Sequence, residues 1–460
     1  MIARFGQVCA RLAERFMPNP FVFALLLSAV VLAGGWWHWP APPGDAFTLV
    51  LQAWFDGFWS KPLLAFGFQM ALILVTGYTV ADAPPTRRLL ARVAGAWSTP
   101  AGAAALCALV AVALSWIHWG LGLVGGALLA REIGRVAARR GRPLPYPLVV
   151  AGAYAGFIVW HGGLSGSAPL VVAQPDHALA DLVGAIGLRS TVLSLPNLLL
   201  TLAMAVVIPL VIAAMARRAP AGGRVPDHEQ NPAAPDERQT TPGARLGQSR
   251  LVTLTALAPA AAALALVVVP GVASGERPVD LNVVLFVFLF AGLALHGSPM
   301  AIVGSFRRGA GEAAPILLQF PFYFAVMGVM RDSGLVTTLA RAGVDASLWL
   351  AESGLPAGWC FQMLTFLTAG LVNLFVPSGG GQWAVQGEIV LQAALDPRIG
   401  LPPGRAVMAL AYGDAWTNML QPFWALALLS ITGTSAREIM GYTIAVMLLV
   451  SPLYLIVFAL

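Results

Sequence analysis

Long apolar runs separated by short polar segments make up most of this chain. Runs of roughly the length needed to cross a bilayer as a helix, about 20 residues, occur at 21–37, 62–80, 191–215, 251–269, 281–295 and 439–457. This spacing is typical of helices that pass repeatedly through a membrane. The pattern therefore predicts an all-α polytopic membrane protein surrounded by a lipid bilayer.

Four polar segments containing glycine interrupt other apolar stretches. They read SWIHWGLG at 115–122, WHGGLSGSAP at 160–169, NLFVPSGGGQ at 373–382 and YGDAWTNMLQP at 412–422. Hydrocarbon cannot hydrogen-bond a bare peptide group, so non-helical backbone at membrane depth must be buried in protein or line a cavity. We therefore predict two re-entrant hairpins, 102–134 and 357–390, and two discontinuous helices, 146–175 and 404–430.

The two halves of the chain resemble each other. GYTVAD begins at 77 and GVMRDSG at 328, and further weak matches keep the same order at an offset of about 250–258 residues. A constant offset indicates an internal duplication. If most arginines lie inside the cell, the halves are inverted, the N-terminus is cytoplasmic and the C-terminus periplasmic. Inverted repeats with broken helices are typical of secondary transporters.

The duplication divides the chain into segments. We expect an N-terminal scaffold helix that is retained rather than cleaved as a signal peptide, a connecting helix, and a flexible cytoplasmic loop rich in Pro, Gly, Gln and charge. The predicted segments are 1–48 (N-terminal helix), 49–190 (first repeat), 191–216 (connecting helix), 217–250 (loop), 251–298 (scaffold helices), 299–430 (second repeat) and 431–460 (C-terminal helix).

Composition narrows the function. Of the 460 residues 58% are hydrophobic and only 10% charged, against about 25% charged in an ordinary soluble domain. This excludes a soluble enzyme, and we expect no enzymatic activity, no cofactor and no nucleic-acid partner. The net charge of +6 reflects arginines clustered in loops. Cys9, Cys107 and Cys360 lack metal-like or disulfide-like spacing and fit small buried hydrophobes.

The hairpin tips present helix N-termini, whose free N–H groups and dipole attract anions such as a carboxylate. The four interruptions contain no Arg or Lys, which favours a monoanion with a short apolar tail over a dicarboxylate or tricarboxylate. Packing between helices is the alternative explanation of the glycines, but it does not explain the polar residues beside them. The predicted substrate-binding residues are His118, Trp119, Gly120, Ser165, Ser167, Ser378, Gly379, Gly380, Gly381, Gln382, Thr417 and Asn418.

A second group of residues suits a coupling cation, H⁺ or Na⁺. Asp414 is the one acidic residue predicted within a discontinuous helix, and intramembrane acids are usually functional, although a structural hydrogen bond is the alternative. His161 suits proton transfer or a purely structural role. We assign cation coupling to Asn373, Asp414, His161 and Ser115, with no bound metal cofactor and with Na⁺ near Asn373 and Asp414 as one option.

VPSGGGQWAVQG, HWGLG and HGGLSGSAP resemble the short-chain fatty acid transporter family, the acetoacetate and butyrate permeases of bacteria. That family is grouped with a wider set that includes dicarboxylate/sodium symporters and aminobenzoyl-glutamate transporters. The resemblance implies an inner-membrane homodimer in which a transport domain moves like an elevator against a scaffold. Dicarboxylate relatives carry Ser-Asn-Thr motifs at the tips. This chain has Asn373 and Ser378 but lacks that motif.

Three other functions would account for part of the sequence. GLSG at 163–166 with His296 fits an intramembrane serine protease, but this leaves the second hairpin and the duplication unexplained. A channel built on inverted hairpins would usually carry an Asn-Pro-Ala signature at both tips. A transporter of another organic anion, a dicarboxylate or an aromatic acid, could use the same fold.

Overall fold

The computed structural model describes residues 1–16, 18–175, 177, 179–223, 241–274 and 281–460. Within these ranges the chain is helical and has no strand beyond one isolated bridge between Pro145 and Gly222. Six of the described helical segments are long and apolar enough to cross a membrane, or seven if the bent pair 43–65 and 67–80 counts as one span. The predicted polytopic α-helical class is confirmed at this level.

Proline and side-chain caps set many helix starts in the first half. Thr99, for example, accepts the N–H of Gly102 at 3.0 Å, and Pro100 follows it at the first helical position, where its missing N–H costs nothing. The helices are α1 Ile2–Phe16, α2 Pro20–His38, α3 Pro43–Phe58, α4 Lys61–Asp82, α5 Pro84–Ala94, α6 Pro100–Ile117, α7 Trp119–Arg139, α8 Tyr146–Ala155, α9 Ser167–Val172, α10 Ala180–Val183 and α11 Leu195–Ala216, with 3₁₀ turns at Gly156–Gly162 and Leu188–Ser190.

The second half uses the same devices, and its last helix begins with a reciprocal capping box between Ser435 and Glu438, which satisfies two backbone N–H groups. The helices are α12 Pro242–Gly247, α13 Arg250–Ala263, a π-helical turn Leu264–Val268, α14 Val269–Ser274, α15 Leu281–His296, α16 Pro299–Glu312, α17 Ala314–Asp332, α18 Leu335–Glu352, α19 Ala357–Asn373, α20 Gly379–Ala394, α21 Pro403–Thr417, α22 Ala425–Thr432 and α23 Ala436–Phe458.

The order of elements recurs between the halves. Helix α4 begins at 61 and α17 at 314, α6 begins at 100 and α19 at 357, and α8 begins at 146 and α21 at 403. These starts differ by 253, 257 and 257 residues, which matches the offset read from the sequence. In each half, a pair of helices that meet at a short break is followed by a helix that loses regular structure near its middle.

Two groups of helices pack among themselves. In the first, α2 and α3 lie on α17, and α4 lies against α15 and α16. In the second, α6 lies on α11, α19 on α21, and α1 on α23. All four interruptions lie in or beside the second group, and α7 and α18 contact both groups.

The N-terminal region and the central loop differ from the predictions. Residues 1–48 hold α1, α2 and the start of α3 rather than one scaffold helix, and α1 packs on α11 and α23. Of the loop predicted at 217–250, residues 224–240 lie outside the described residues, but its start is anchored. Tyr146 N–H donates to Gly222 O, and Gly222 N–H donates to Leu144 O, both at 3.0 Å, and α12 follows beyond the gap.

Candidate functional site

The four interruptions meet at one place. Helices α6 and α7 break at His118, and α19 and α20 break between Asn373 and Gly379. The helix that begins with α8 loses α-helical geometry over 156–166, and the one that begins with α21 does so over 418–424. Hydrogen bonds join the breaks in pairs, so most of the polar residues that the sequence singles out lie together inside the protein.

We call the break between α6 and α7 the first tip and the break between α19 and α20 the second tip. In each tip a side chain caps the N-terminal end of the helix that follows. His118 Nδ1 accepts the N–H of Gly120 at 3.1 Å at the start of α7, and Ser378 Oγ accepts the N–H of Gly381 at 3.2 Å at the start of α20. Both residues are therefore N-caps, because each accepts a hydrogen bond from one of the backbone N–H groups that a helix start leaves free.

The tip before α7 is joined to the first unwound segment. Ser165 Oγ accepts the N–H of Trp119 at 3.0 Å, and Leu164 N–H donates to Trp116 O at 2.8 Å. The added methyl of an alanine at position 163 would lie 2.3 Å from Trp116 O, so the backbones touch here. Most donors at this tip are thus already used within the protein.

The tip before α20 keeps free donors. The N–H groups of Gly379 and Gly380 have no hydrogen-bond partner among the described residues. A Cβ at Gly380 would meet only Ser167 Cβ, at 3.8 Å. Ser167, at the start of α9, thus lies near the open end of α20, where these two N–H groups are. This is the arrangement that binds a carboxylate at a helix N-terminus.

Next to these donors lies a buried His–Asp pair. His161 Nδ1 and Asp414 Oδ2 are 2.7 Å apart, and the two side chains are 0% and 1% exposed. Trp160 stacks on the imidazole with 4.4 Å between ring centroids. A Cβ at Gly379 would lie 2.6 Å from His161 Cε1, so only glycine lets the tip approach the ring this closely.

Asn373 ties the first arm of the second tip to α21. Its Nδ2 lies 2.8 Å from Asp414 O, 3.0 Å from Thr417 Oγ1 and 2.8 Å from Asn418 Oδ1. Among the described residues its own Oδ1 is buried without a partner, as are Asn418 Nδ2 and Gln421 Oε1. Buried polar groups are nearly always paired, so these three atoms suit a place where a ligand binds or where the side chains change their hydrogen bonds.

Two predicted residues stay out of this junction. Gln382 turns into the interior of the second tip, where its Nε2 donates to Ala369 O at 2.8 Å and Gln386 Oε1 at 2.7 Å. Ser115 is fully buried, its Oγ has no partner within the described part of the chain, and it packs where a Cβ of Gly122 would lie. Both residues lie inside the tips, where they hold the two arms together.

Other residues that the sequence did not single out support the site. Asn197 on α11 is 1% exposed. It donates to Gly162 O at 2.8 Å and accepts the hydroxyl of Tyr412 at 3.0 Å. Tyr154 donates to Asn418 O at 2.8 Å. Asn197 could have been predicted as a site residue, because a buried asparagine inside the long apolar run 191–215 is unusual. Nothing in the sequence distinguishes the two tyrosines from core residues.

A small apolar cavity of about 20 Å³ adjoins the first tip. It lies between α4, the start of α7, α17 and the segment that leads into α22. Its lining is formed by Met70, Ile73, Leu74, Trp119, Gly120, Leu123, Val124, Phe320, Phe423, Trp424 and Ala427. The cavity thus lies against the start of α7, on the side toward α4 and α17.

A polytopic helical protein whose broken helices meet at a buried polar site belongs to the class of membrane transporters. Comparison with known proteins defines the family. The family model described as "Short chain fatty acid transporter" matches residues 1–460. The chain belongs to this family, which agrees with the predicted family and with the prediction that the protein is not an enzyme.

Two curated relatives carry the name "Putative short-chain fatty acid transporter". The one from Escherichia coli (strain K12) is 36% identical over 460 residues, with 99% of each chain covered. The one from Haemophilus influenzae (strain ATCC 51907 / DSM 11121 / KW20 / Rd) is 34% identical over 470 residues, also with 99% of each covered.

Two solved structures are more distant. The YdaH transporter of Alcanivorax borkumensis is 19% identical, with 96% of this chain and 97% of that chain covered and a TM-score of 0.42. MtrF of Neisseria gonorrhoeae, which belongs to a class of antimetabolite efflux pumps, is 16% identical, with 98% and 95% covered and a TM-score of 0.41. Likenesses of this strength do not establish a shared fold.

Proposed function

We propose that the protein is a secondary active transporter that carries short-chain monocarboxylates, such as butyrate and acetoacetate, across the bacterial inner membrane together with a cation, H⁺ or Na⁺. The observation that carries this proposal is that the N–H groups of Gly379 and Gly380 have no hydrogen-bond partner among the described residues, at a helix start close to Ser167 where the four interruptions meet. A substrate carboxylate fits there as an acceptor of charge-assisted hydrogen bonds.

The size and charge of the substrate follow from what surrounds these donors. The interruptions contain no Arg or Lys, so backbone N–H groups and hydroxyls bind one carboxylate without a second cationic partner. The cavity beside Trp119 is apolar and about 20 Å³ in volume, room for about one or two waters, so a short hydrocarbon tail would enter it only with movement of the lining side chains. A dicarboxylate would place a second charge against apolar surface, where desolvation is costly. For this reason we favour a monocarboxylate over a dicarboxylate or an aromatic acid.

The protease alternative has little support from the site. Ser165 accepts the N–H of Trp119, and His296 bonds to Thr79 O at 2.9 Å. No hydrogen bond joins Ser165 to a histidine in the part of the chain that the structure describes. A hydrolytic serine needs a base within hydrogen-bond reach, so we do not assign this activity.

We further propose that transport follows an elevator mechanism in an inverted-repeat homodimer whose N-terminus is cytoplasmic and whose C-terminus is periplasmic. The recurrence of helix order at a nearly constant offset supports the duplication. The two packing groups support a division into a scaffold, which includes α2–α4 and α15–α17, and a mobile domain that carries both tips. Asn373, Asp414 and His161 are the residues to which we assign the cation.

Counterflow in proteoliposomes tests the proposal. Vesicles loaded with unlabelled acetoacetate should take up labelled acetoacetate transiently, and external butyrate should compete whereas succinate should not. Acetoacetate suits the assay because, as a stronger acid, it crosses lipid less readily than butyrate in its undissociated form. Protein-free liposomes give the background. Competition by succinate as strong as that by butyrate would assign the site to another anion class.

The variant Gly380→Val tests the location of the substrate. Its side chain would enter the gap toward Ser167, where only one atom lies within 4 Å of the Cβ position. We expect normal membrane insertion and loss of counterflow. Ala384 is exposed on the same helix, so Ala384→Val is a matched control that should transport normally. Normal counterflow by Gly380→Val would exclude this gap as the binding site.

A further inference from the structure

The His161–Asp414 pair links the two unwound segments, and its geometry identifies the coupling ion. We propose that this ion is a proton and that the pair carries it beside the substrate carboxylate. This inference rests on the proposed transport function and chooses between the two cations that the function leaves open.

Hydrogen bonding fixes the state of the imidazole. The backbone N–H of Ala168 lies 3.1 Å from His161 Nε2, and a backbone N–H can only donate. Nε2 must therefore be an unprotonated acceptor. The ring proton is then on Nδ1, where it is donated to Asp414 Oδ2 at 2.7 Å. The histidine is neutral in this arrangement, so an ionised Asp414 gives the pair a net charge of −1.

No cationic partner balances that charge among the described residues. The elements packed against the pair carry many titratable groups, but none of them forms a described hydrogen bond or ion pair with His161 or Asp414. These groups are Cys107 on α6, His118 before α7, Arg131, Glu132, Arg135 and Arg139 on α7, Tyr146 and Tyr154 on α8, Cys360 on α19, Glu388 on α20, Arg405 and Tyr412 on α21, and Arg437, Glu438, Tyr442 and Tyr454 on α23.

A buried carboxylate without a counter-charge is strongly disfavoured and binds a proton or a cation. A sodium ion would need a shell of several oxygens beside Asp414. Three oxygens of this cluster are already held by one amide, and among the described residues Asn373 Oδ1 and Gln421 Oε1 are the two of its buried side-chain oxygens left without a partner. Asp414 O, Thr417 Oγ1 and Asn418 Oδ1 all lie within 3.0 Å of Asn373 Nδ2. A proton needs no such shell, because the free lone pairs of one carboxylate are enough.

The pair also adjoins the substrate donors. The Cβ position of Gly379 lies 2.6 Å from His161 Cε1, so a carboxylate on the N–H groups of Gly379 and Gly380 would bind beside the protonated pair. Repulsion between two carboxylates is removed when one is protonated, so each ligand favours the other. One proton with one monocarboxylate moves no net charge, and transport should be insensitive to membrane potential.

The test uses proteoliposomes of the full chain in sodium-free choline buffer with an acidic exterior. Labelled acetoacetate and a trapped pH indicator are followed together, and protein-free liposomes give the background. We expect accumulation of acetoacetate with matching acidification of the interior, unchanged when potassium and valinomycin set the membrane potential. A sodium gradient at equal pH should give no accumulation.

Three variants locate the proton. Asp414→Asn should lose proton-driven accumulation together with the matching acidification of the interior. Glu388→Gln neutralises an exposed carboxylate on α20 and should behave as the wild type. His161→Gln keeps one donor and one acceptor and should shift the pH at which accumulation is half-maximal. This shift is a readout that a purely structural role of the histidine would not give.

Different outcomes would refute the transport function and the assignment of the proton. Absence of acetoacetate counterflow in the wild type would refute the transport function itself. Counterflow with sodium-driven accumulation and no acidification would refute the proton assignment alone. Wild-type proton-driven accumulation by Asp414→Asn would place the proton elsewhere. If Asp414→Asn loses counterflow as well, an unchanged pH profile in His161→Gln would refute the role of the pair.

Discussion

Adjacent glycines at the start of α20 should respond in opposite ways to the same substitution. At Gly379 an added methyl would lie 2.6 Å from His161 Cε1 and 2.9 Å from Trp160 Cη2, too close for either ring to stay in place. At Gly380 the nearest atom is Ser167 Cβ at 3.8 Å, an ordinary contact. Gly379→Ala therefore tests how closely the start of α20 packs against His161 and Trp160. Gly380→Ala tests whether the space beside Ser167 holds the substrate.

The magnitudes follow from these contacts. Replacing a helical glycine by alanine gains about 0.5–1 kcal/mol where nothing clashes, which is the upper limit for Gly380→Ala at a helix start. Overpacking costs about 1–3 kcal/mol, so Gly379→Ala should be less stable than the wild type by up to about 2.5 kcal/mol after the gain of about 0.5–1 kcal/mol is subtracted. The methyl at 380 instead occupies the gap in which the carboxylate binds.

Loss of one hydrogen bond to a charged group costs about 1.5–3 kcal/mol, which corresponds to a roughly 10- to 100-fold weaker affinity. Thermal unfolding in detergent, with and without acetoacetate, measures both effects on one sample. Gly380→Ala should unfold at or above the wild-type temperature but show no stabilisation by substrate, and Gly379→Ala should unfold earlier. Wild-type affinity in Gly380→Ala would refute the binding geometry, and wild-type stability in Gly379→Ala would refute the close fit.

Three further substitutions test the supporting hydrogen bonds by thermal unfolding. Asn197→Ala leaves Gly162 O and the hydroxyl of Tyr412 without partners and should cost at least about 2 kcal/mol, because each buried orphan costs about 1–3 kcal/mol. Tyr412→Phe removes one of these bonds and should cost less than half as much, and equal costs would contradict the network. Tyr154→Phe frees Asn418 O and should reduce counterflow more than stability. An unaffected rate would show that the segment after α21 does not need this anchor.

Much of the site could be predicted from the sequence because its signals are local. Glycine, proline and short polar side chains inside apolar runs mark broken helices at membrane depth. The structure places these breaks at His118, at 374–378, and within 156–166 and 418–424. The sequence also predicted a helix N-terminus at the glycines that follow Ser378, and α20 begins at Gly379.

The remaining features depend on how distant segments meet. His161 and Asp414 are 253 residues apart, and no local pattern pairs them. The direction of Gln382 depends on the rotation of α20 about its axis, which places the amide between the arms instead of in the gap. Helices α1, α3 and α18 were missed because their apolar residues follow a helical stripe and form no continuous run.

The central claim is that a short carboxylate binds between the start of α20 and Ser167, beside the His161–Asp414 pair. The most direct measurement is the structure of the protein with a brominated short-chain carboxylate, in which anomalous scattering locates the bromine. We predict the carboxylate on the N–H groups of Gly379 and Gly380, with the bromine toward the apolar cavity beside Trp119. A bromine signal elsewhere in the protein, with this gap empty, would contradict the account.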